Sequence, residues 1–410
     1  MGESVSCEVL IVGGGPAGLA AASAASPNAD VLLLDENPSI GGQIYRASKG
    51  ALSREAARLA PLQTWQKERV RTGLAVHSID PEARFLKAGS LQIQYQKLIL
   101  SPGARELFLP FPGWTLPGVF GAGGLQALAK QGLNVRGKRI VLGGSGPLLL
   151  AVAKYFDEAG ADVLRIYEQA SPQSLASMAS QMWRFPKKAF QGLGFLPFAS
   201  SLRAGSWVQR AKGAGRLEAI EATDGTQTTR IECDLLGVGY GLVPNLELPR
   251  LAGCRIVNGF AEVDESQQTS IENIYCAGEP TGIGGVEKAV VEGTIAGLAA
   301  AGQIAEAAKL NAEKRKSLEF MSLLDRTYAL RLEVLAMADA KTIVCRCEDV
   351  PLALLKKCTS FREAKLHTRL GMGPCQGRIC GAACQAMFGW EPPSVRPPVV
   401  PVSVSALIEN

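Results

Sequence analysis

EVLIVGGGPAGLAAASAASPNADVLLLDE, residues 8–36, reads as strand, turn, helix, strand. The apolar run Val9 to Val12 ends in Gly13-x-Gly15-x-x-Gly18, and a helix of small residues follows. Val31 to Leu34 then delivers Asp35 just past a second strand. Each part has a physical task. Gly13 permits the tight turn, Gly15 lets the backbone reach a pyrophosphate at the positive end of the helix, and Gly18 lets helix and strand pack closely. Asp35, with Glu36 as the neighbouring alternative, would accept hydrogen bonds from an adenosine ribose. A lone glycine triplet is weak, but this one has the strand, helix and acid that the chemistry requires around it.

A second unit of the same kind lies at 138–168, KRIVLGGSGPLLLAVAKYFDEAGADVLRIYE. It repeats strand, Gly144-x-Gly146, helix, strand, and ends at Glu168, whose carboxylate suits an unphosphorylated ribose. The third glycine is replaced by Leu149, so the helix cannot approach its strand as closely and the pyrophosphate pocket differs from a standard NAD site. Three readings stay open for it: NAD(H), another adenine nucleotide such as ATP or AMP, or an empty structural relic.

Near the C-terminus, Cys345-x-Cys347 is followed after 27 residues by Cys375-x4-Cys380. Four thiolates gathered by two tight turns can hold a [2Fe-2S] cluster or a tetrahedral zinc. The single-residue spacing of the first pair suits one iron of a diiron cluster better than structural zinc, whose paired ligands usually stand two to four residues apart. Gly371, Gly373, Gly377 and Gly381 would let backbone amides approach the sulfurs, and Arg346 and Arg378 could offset the cluster's negative charge. Cys358 and Cys384 lie close enough in sequence to replace a ligand. Zinc and unligated thiols are the competing readings.

Composition narrows the rest. A chain of 410 residues suggests two or three domains, and 47% hydrophobic with 20% charged residues is ordinary for a globular protein with a sizeable core. The net charge of +5 is spread along the chain, apart from Lys309 to Lys316 around Glu313, so nucleic acid is not an expected partner. No apolar run reaches the 18 residues of a membrane-spanning helix, and a cytoplasmic location is expected. Cys7, Cys233, Cys254 and Cys276 read as core positions rather than a disulfide framework. No closely spaced cysteine pair precedes Cys345, which argues against thiol exchange. His77 and His367 read as satisfied structural residues, and no catalytic acid or base is assigned. After Trp390 the chain is proline-rich.

Several of these stretches resemble two-dinucleotide-binding flavoproteins. Gly41-Gly42-Gln43 follows the first acid at the distance found in that group, and NIYCAGEPTGIGG at 273–285, with Gly278 and Glu279, resembles its second flavin motif. LILSPGARE at 98–106, with Gly103, resembles its crossover strand, although Ser101-Pro102-Gly103 replaces the usual alanine-threonine-glycine. The resemblance implies FAD, with Glu279 on the ribityl chain and the helix near Gly284 directed at the flavin N1/O2 edge. Residues 340–390 resemble the bacterioferritin-associated-ferredoxin-like [2Fe-2S] module, with C-x4-C in place of C-x2-C.

The implied fold class is α/β: a two-dinucleotide-binding-domain flavoprotein, a Rossmann-like FAD domain with an inserted NAD-like domain, plus a small C-terminal [2Fe-2S] module. The expected divisions are 1–115 with 250–302 for FAD, 116–249 for the inserted nucleotide-binding-like domain, 303–338 for a helical connector, 339–391 for the cluster module and 392–410 for the tail. Taken together, with FLPFPGWTLPGVFGAGGLQAL at 108–128 and GGSGPLLLAVA at 143–153, the chain resembles the α-type subunits of hetero-oligomeric amino-acid dehydrogenases. These include D-hydroxyproline dehydrogenase, opine oxidases, archaeal proline dehydrogenase complexes and hydrogen cyanide synthase. That resemblance implies a D-amino-acid-oxidase-like flavoprotein partner, a further component in the form of a small ferredoxin-like protein, and peripheral membrane association through the complex. The chain's part would be electron relay, with hydroxyproline first among the expected substrates; glycine oxidation as a hydrogen cyanide synthase subunit and a stand-alone NAD(P)H-dependent flavin and iron-sulfur reductase are the competing readings.

Overall fold

The computed structural model describes residues 3–45, 69–391 and 394–408. Residues 46–68 of the expected FAD domain, and Pro392 and Pro393 of the expected tail, lie outside the described residues. The chain forms two compact units, one of residues 1–105, 244–321 and 394–410, the other of 106–243 and 322–393.

The first unit is built on β1 (Ser4–Val12), α1 (Pro16–Ala25), β2 (Val31–Asp35) and β3 (Leu91–Leu100). β1 pairs in parallel with β2 on one side and β3 on the other. The short strand Val70–Thr72 extends the sheet beyond β2, Ile274–Cys276 pairs with the end of β3, and the antiparallel strands Phe85–Ala88 and Val76–Asp80 complete the far side. Val9 to Val12 and the whole of β2 are buried, as expected of parallel strands covered on both faces. Cys7, Cys254 and Cys276 are buried in this unit's core.

Small residues decide how the covering helices pack. Along the helix Gly285–Ala300, Gly293 and Gly297 face the backbone of α1. A Cβ at Gly293 would stand 2.1 Å from the Ala17 carbonyl oxygen, and one at Gly297 would stand 2.2 Å from that of Ala21. The two helices therefore touch backbone to backbone, which only glycine permits at these positions.

In the second unit β4 (Arg139–Gly144), α2 (Leu148–Glu158) and β5 (Asp162–Glu168) form the matching motif. The parallel sheet runs Leu202–Ala204, β5, β4, Leu235–Gly239, Val119–Gly121. A three-stranded antiparallel sheet, Trp207–Lys212, Ala219–Thr223 and Thr228–Glu232, accompanies it. The C-terminal cysteine segment belongs to this unit. Its hairpin, Ile343–Cys345 with Val350–Pro351, and the helices Phe361–Thr368 and Cys380–Phe388 enclose Val344, Leu355, Phe361, Ala364 and Leu370. Ser360 caps the first of these helices, its hydroxyl accepting from the Glu363 amide.

Candidate flavin cleft and cysteine centre

At the end of β1, Gly13 adopts φ +107°, and a Cβ there would meet the Ser101 carbonyl oxygen at 2.2 Å. Gly18 lies against the same turn, where a Cβ would stand 1.8 Å from the Gly13 oxygen. Ser101, the residue that departs from the expected crossover pattern, has a positive task. Its buried hydroxyl donates toward the carbonyls of Val12 and Gly13 at 3.1 and 3.0 Å and so ties the crossover strand to the glycine turn. Next to it, Asn245 donates to the Pro102 carbonyl and accepts from Arg105, fixing the loop that contains Gly103.

Asp35 is buried at the tip of β2. One carboxylate oxygen accepts from the Gly14 amide at 2.6 Å, and the other from the amide and side chain of Asn37 at 2.7 and 2.8 Å. Glu36, the alternative, is exposed, which leaves Asp35 as the acid at the cleft. Gly42, at φ +59°, sits over Gly15, where a Cβ would stand 2.9 Å from the Gly15 Cα, while Gln43 is exposed. Gly15 is the N-cap of α1 and no side chain caps the helix. An uncapped helix end, two facing glycines and a buried acid are what a dinucleotide diphosphate and ribose require, so these residues fit the ADP half of FAD.

The second flavin motif brings Gly278 against α1, where a Cβ would meet that of Ala17 at 2.9 Å. Glu279 does something the sequence did not suggest. Its two oxygens accept from the amides of Gly284 and Gly285, each at 3.0 Å, so it caps the helix Gly285–Ala300, and its burial raises its pKa. Beneath it lies an ion pair that sequence reading missed. Lys288 and Glu292, each 1% exposed, bond at 2.7 Å. Lys288 also donates to the Gly278 carbonyl and to Thr281, while Glu292 accepts from the Gly278 amide and the Thr281 hydroxyl. The i, i+4 spacing was visible; its burial under the flavin loop was not.

In the second unit Gly144, at φ +143°, lies against Gly239, where a Cβ would come within 1.8 Å of a carbonyl oxygen. The Glu168 carboxylate is buried and accepts from the amides of Gly146 and Ala170, both at 2.7 Å. Burial pushes its pKa up to about 7 despite those bonds. Leu149, in place of a third glycine, is buried in the unit's core. The segment Tyr328 to Arg331 lies on the glycine turn. Ser145 donates to the Tyr328 carbonyl at 3.2 Å, Gln169 donates to those of Tyr328 and Ala329 at 3.3 and 3.1 Å, and the Arg331 amide donates back to Gln169 at 3.1 Å. Gln169 is fully buried, and the Arg331 guanidinium stacks over Trp207 at 5.2 Å.

Cys345, Cys347, Cys375 and Cys380 line one cavity of about 320 Å³, opposite Phe108, Trp114 and Phe120. Side-chain hydrogen bonds join Cys345 to Cys380 and Cys347 to Cys375, across the two sequence pairs rather than within them, so the adjacent thiols of Cys345-x-Cys347 do not pair with each other as their spacing suggested. The Cys380 thiol bonded to Cys345, with backbone amides of Gly371, Glu348 and Cys347, brings the Cys345 pKa down to about 5, while the same contact and burial raise that of Cys380. Gly373 approaches so closely that a Cβ would lie 2.3 Å from that of Cys347. Among the described residues no group of three or more His, Cys, Asp or Glu gathers as a site for a metal ion. Cys384 is buried behind the pairs, its pKa pushed up to about 12 by burial, and Cys358 bonds Leu354; neither lines the cavity. Arg346 stacks on Trp114 at 5.8 Å, and the Trp114 indole donates to the Ile343 carbonyl at 2.6 Å, anchoring the strand that carries Cys345.

His77, whose ring nitrogen bonds the Gly89 carbonyl, is buried and satisfied. No helix among the described residues is long and apolar enough to cross a membrane.

Residues 7–305 match the pyridine nucleotide-disulphide oxidoreductase family. The hydrogen cyanide synthase subunit HcnB of Pseudomonas protegens is 30% identical, the alignment covering 98% of this chain and 97% of that one. A subunit of the opine oxidase of Rhizobium meliloti is also 30% identical, over 98% of both chains. The crystal structure of L-proline dehydrogenase from P. horikoshii superposes with a TM-score of 0.74 at 19% identity, covering 99% of this chain and 80% of that one. The flavin-type α/β fold, the cleft around Gly15 and Asp35 and these full-length relatives agree: the chain belongs to the pyridine nucleotide-disulphide oxidoreductase family and is a FAD-dependent oxidoreductase related to the subunits of opine oxidase and hydrogen cyanide synthase.

Proposed function

We propose that this chain is the electron-relay subunit of a multi-subunit amino-acid dehydrogenase, receiving electrons from a D-amino-acid-oxidase-like flavoprotein and passing them through FAD and a [2Fe-2S] cluster to a carrier or the respiratory chain. The observation that carries the proposal is the occupation of the second nucleotide cleft by the chain's own residues. A nicotinamide dinucleotide there would need the Gly146 amide, which the Glu168 carboxylate holds, and room at Ser145, which is bonded to the Tyr328 carbonyl. The second unit then serves as a dock for Tyr328 to Arg331 and the cysteine segment beyond, rather than as a point of NADH oxidation. Electrons must come from a partner, in keeping with relatives that are themselves subunits.

When bound, FAD supplies exchange between two-electron and one-electron carriers. The chain's own residues hold it: the α1 terminus at Gly15 receives the diphosphate, Asp35 the ribose, and the loop at Gly278 is kept in place by Lys288 and Glu292. For the cluster, a single zinc would need four thiolates around one point, whereas a diiron cluster takes two ligands on each iron. The Cys345-x-Cys347 spacing and the single cavity that the four thiols line support the diiron reading, with Cys345, Cys347, Cys375 and Cys380 as ligands.

Three measurements test this. Anaerobic mixing with NADH or NADPH is expected to leave the bound flavin oxidised, while co-expression with the partner flavoprotein gives a complex that reduces an artificial dye with D-hydroxyproline or an opine. Rapid bleaching by NADH, or full dehydrogenase activity of this chain alone, would refute the relay. Iron and acid-labile sulfide at about two each per chain are expected, and stoichiometric zinc without sulfide would refute the cluster. The 30% identity to HcnB favours one second reading: glycine oxidation with cyanide release by the complex keeps the relay and changes the substrate.

A further inference from the structure

The stretch FLPFPGWTLPGVFGAGGLQAL at 108–128 takes no part in the flavin cleft, yet Phe108, Trp114, Val119 and Phe120 of it line the cavity that the four thiols share. The Trp114 indole N–H is already engaged by the Ile343 carbonyl, and Phe108 packs on the Trp114 ring with centroids 4.9 Å apart. This wall therefore offers aromatic and aliphatic surface rather than donors. Ile379 and Arg346, both exposed, stand at the mouth, and Arg346 is the one charged residue that lines the cavity, among the described residues. The volume exceeds what the thiols' own ligand needs. A four-atom Fe2S2 core would take about 120 Å³, at the roughly 30 Å³ that a water occupies, and an apolar cavity of about 150 Å³ accommodates benzene. At about 320 Å³ the cavity has room for a six-membered ring beside the thiols.

We propose that the aromatic side of this cavity is a quinone site, with the ring on the Phe108, Trp114 and Phe120 wall and a carbonyl oxygen accepting from the Arg346 guanidinium. A planar, uncharged ring suits that wall, and the guanidinium fork at the mouth supplies the donors that a quinone oxygen can use. A nucleotide acceptor would bring phosphates to a cavity with a single cation. The redox part of the proposal rests on the relay reading and names its acceptor. Two electrons, delivered one at a time from the cysteine centre, and two protons from solvent at the mouth convert the quinone to the quinol.

The test uses the full chain with its flavin and duroquinone, whose four methyl groups leave no ring position open to thiol addition. Equilibrium dialysis is expected to show saturable binding at one site per chain. Ile379→Trp, which fills the mouth, should weaken it by at least about tenfold, with flavin and metal contents unchanged. Arg346→Gln, or replacement of the ligand by durene, the same ring without carbonyls, should each weaken binding about fivefold. Protein reduced with dithionite and freed of the excess should be oxidised by duroquinone at a rate that saturates, and Ile379→Trp should lose that saturation while ferricyanide still oxidises it. Binding that does not saturate, that Ile379→Trp leaves unaltered, or that durene matches would overturn the site. So would a wild type that binds no duroquinone while Ile379→Trp no longer co-purifies with the partner flavoprotein, which would assign the wall to a protein interface. Bleaching by NADH, or zinc without sulfide, refutes the relay reading and leaves the dialysis result to decide the site.

Discussion

In the first unit Asp35 accepts from the Gly14 amide, whereas in the second Glu168, one methylene longer, reaches the amide of Gly146, one motif position further on. That step changes what the turn can offer. Gly15 stays under Gly42 at the uncapped end of α1, while its counterpart Gly146 has its amide committed to a carboxylate. The third motif position reinforces the difference, because Gly18 lets α1 descend onto Gly13 and Leu149 instead sends its side chain into the core. α1 begins at Pro16, three residues after the first glycine, and α2 at Leu148, four residues after it. Two units with the same strand, glycine and acid code thus diverge through side-chain length at two positions, and in the second the amide of the middle glycine is held by a carboxylate.

The largest expected difference is in flavin retention. Gly15→Val should abolish flavin binding, since a branched side chain would stand where the diphosphate meets the backbone. Gly146→Val should leave the flavin in place and cost stability only, because the residue sits at φ +102°. Absorbance at the flavin band after gel filtration reads both, and equal flavin loss in the two variants would erase the functional distinction between the units.

Next in size is the buried ion pair, which has no counterpart in the second unit's turn. Glu292→Ala leaves the Lys288 ammonium without its carboxylate in a fully buried site and should cost about 3–5 kcal/mol, seen as a lower denaturant midpoint together with weaker flavin retention. A loss of under 1 kcal/mol, the range of an exposed pair, would show that water reaches the site.

Glu168 gives the second unit a pH dependence. Its folded-state pKa, raised to about 7, lies above the ordinary 4.5, so the folded protein binds the proton more tightly than the unfolded chain. Its contribution is therefore most favourable below pH 4.5 and is lost as pH rises through 7, a change of about 3 kcal/mol. Glu168→Gln should remove that slope from a series of unfolding curves between pH 4.5 and 8, whatever its cost at any one pH. The smallest effect belongs to Ser101. Removal of its hydroxyl in Ser101→Ala deletes two bonds to the first glycine turn and should cost about 1 kcal/mol, a shift in melting temperature of a few degrees.

The glycine turns were legible because their requirements are local: positive φ, close backbone approach and an acid at the end of the next strand all fall within about thirty residues. The pairing of the first acid was settled only by burial, Asp35 facing the cleft and Glu36 the solvent. The four cysteines were legible as a group, but their sorting into Cys345 with Cys380 and Cys347 with Cys375 depends on how the hairpin folds over the helix. The expected role of Glu279 on the ribityl chain gave no hint of its bonds to Gly284 and Gly285, since an acid before a helix reads equally as ligand or cap. Least legible was the docking of Tyr328 to Arg331, whose partners lie about 160 residues earlier and whose bonds use backbone carbonyls that any residue carries. The one local signal is the break in helical pattern after Thr327.

The backbone contact of Gly293 and Gly297 with Ala17 and Ala21 sets an order of assembly. At about 5–20 residues per second, ribosomal synthesis delivers residue 297 roughly 15–60 s after residue 17. Throughout that interval α1 lacks the helix that buries it. The inner sheet of the second unit, complete at Gly239, is synthesised earlier and can pair its strands while the first waits. The earliest motif in the chain is thus among the last to close, and a ribosome stalled just before residue 290 would hold a nascent protein able to pair its second sheet but lacking the helix that buries α1.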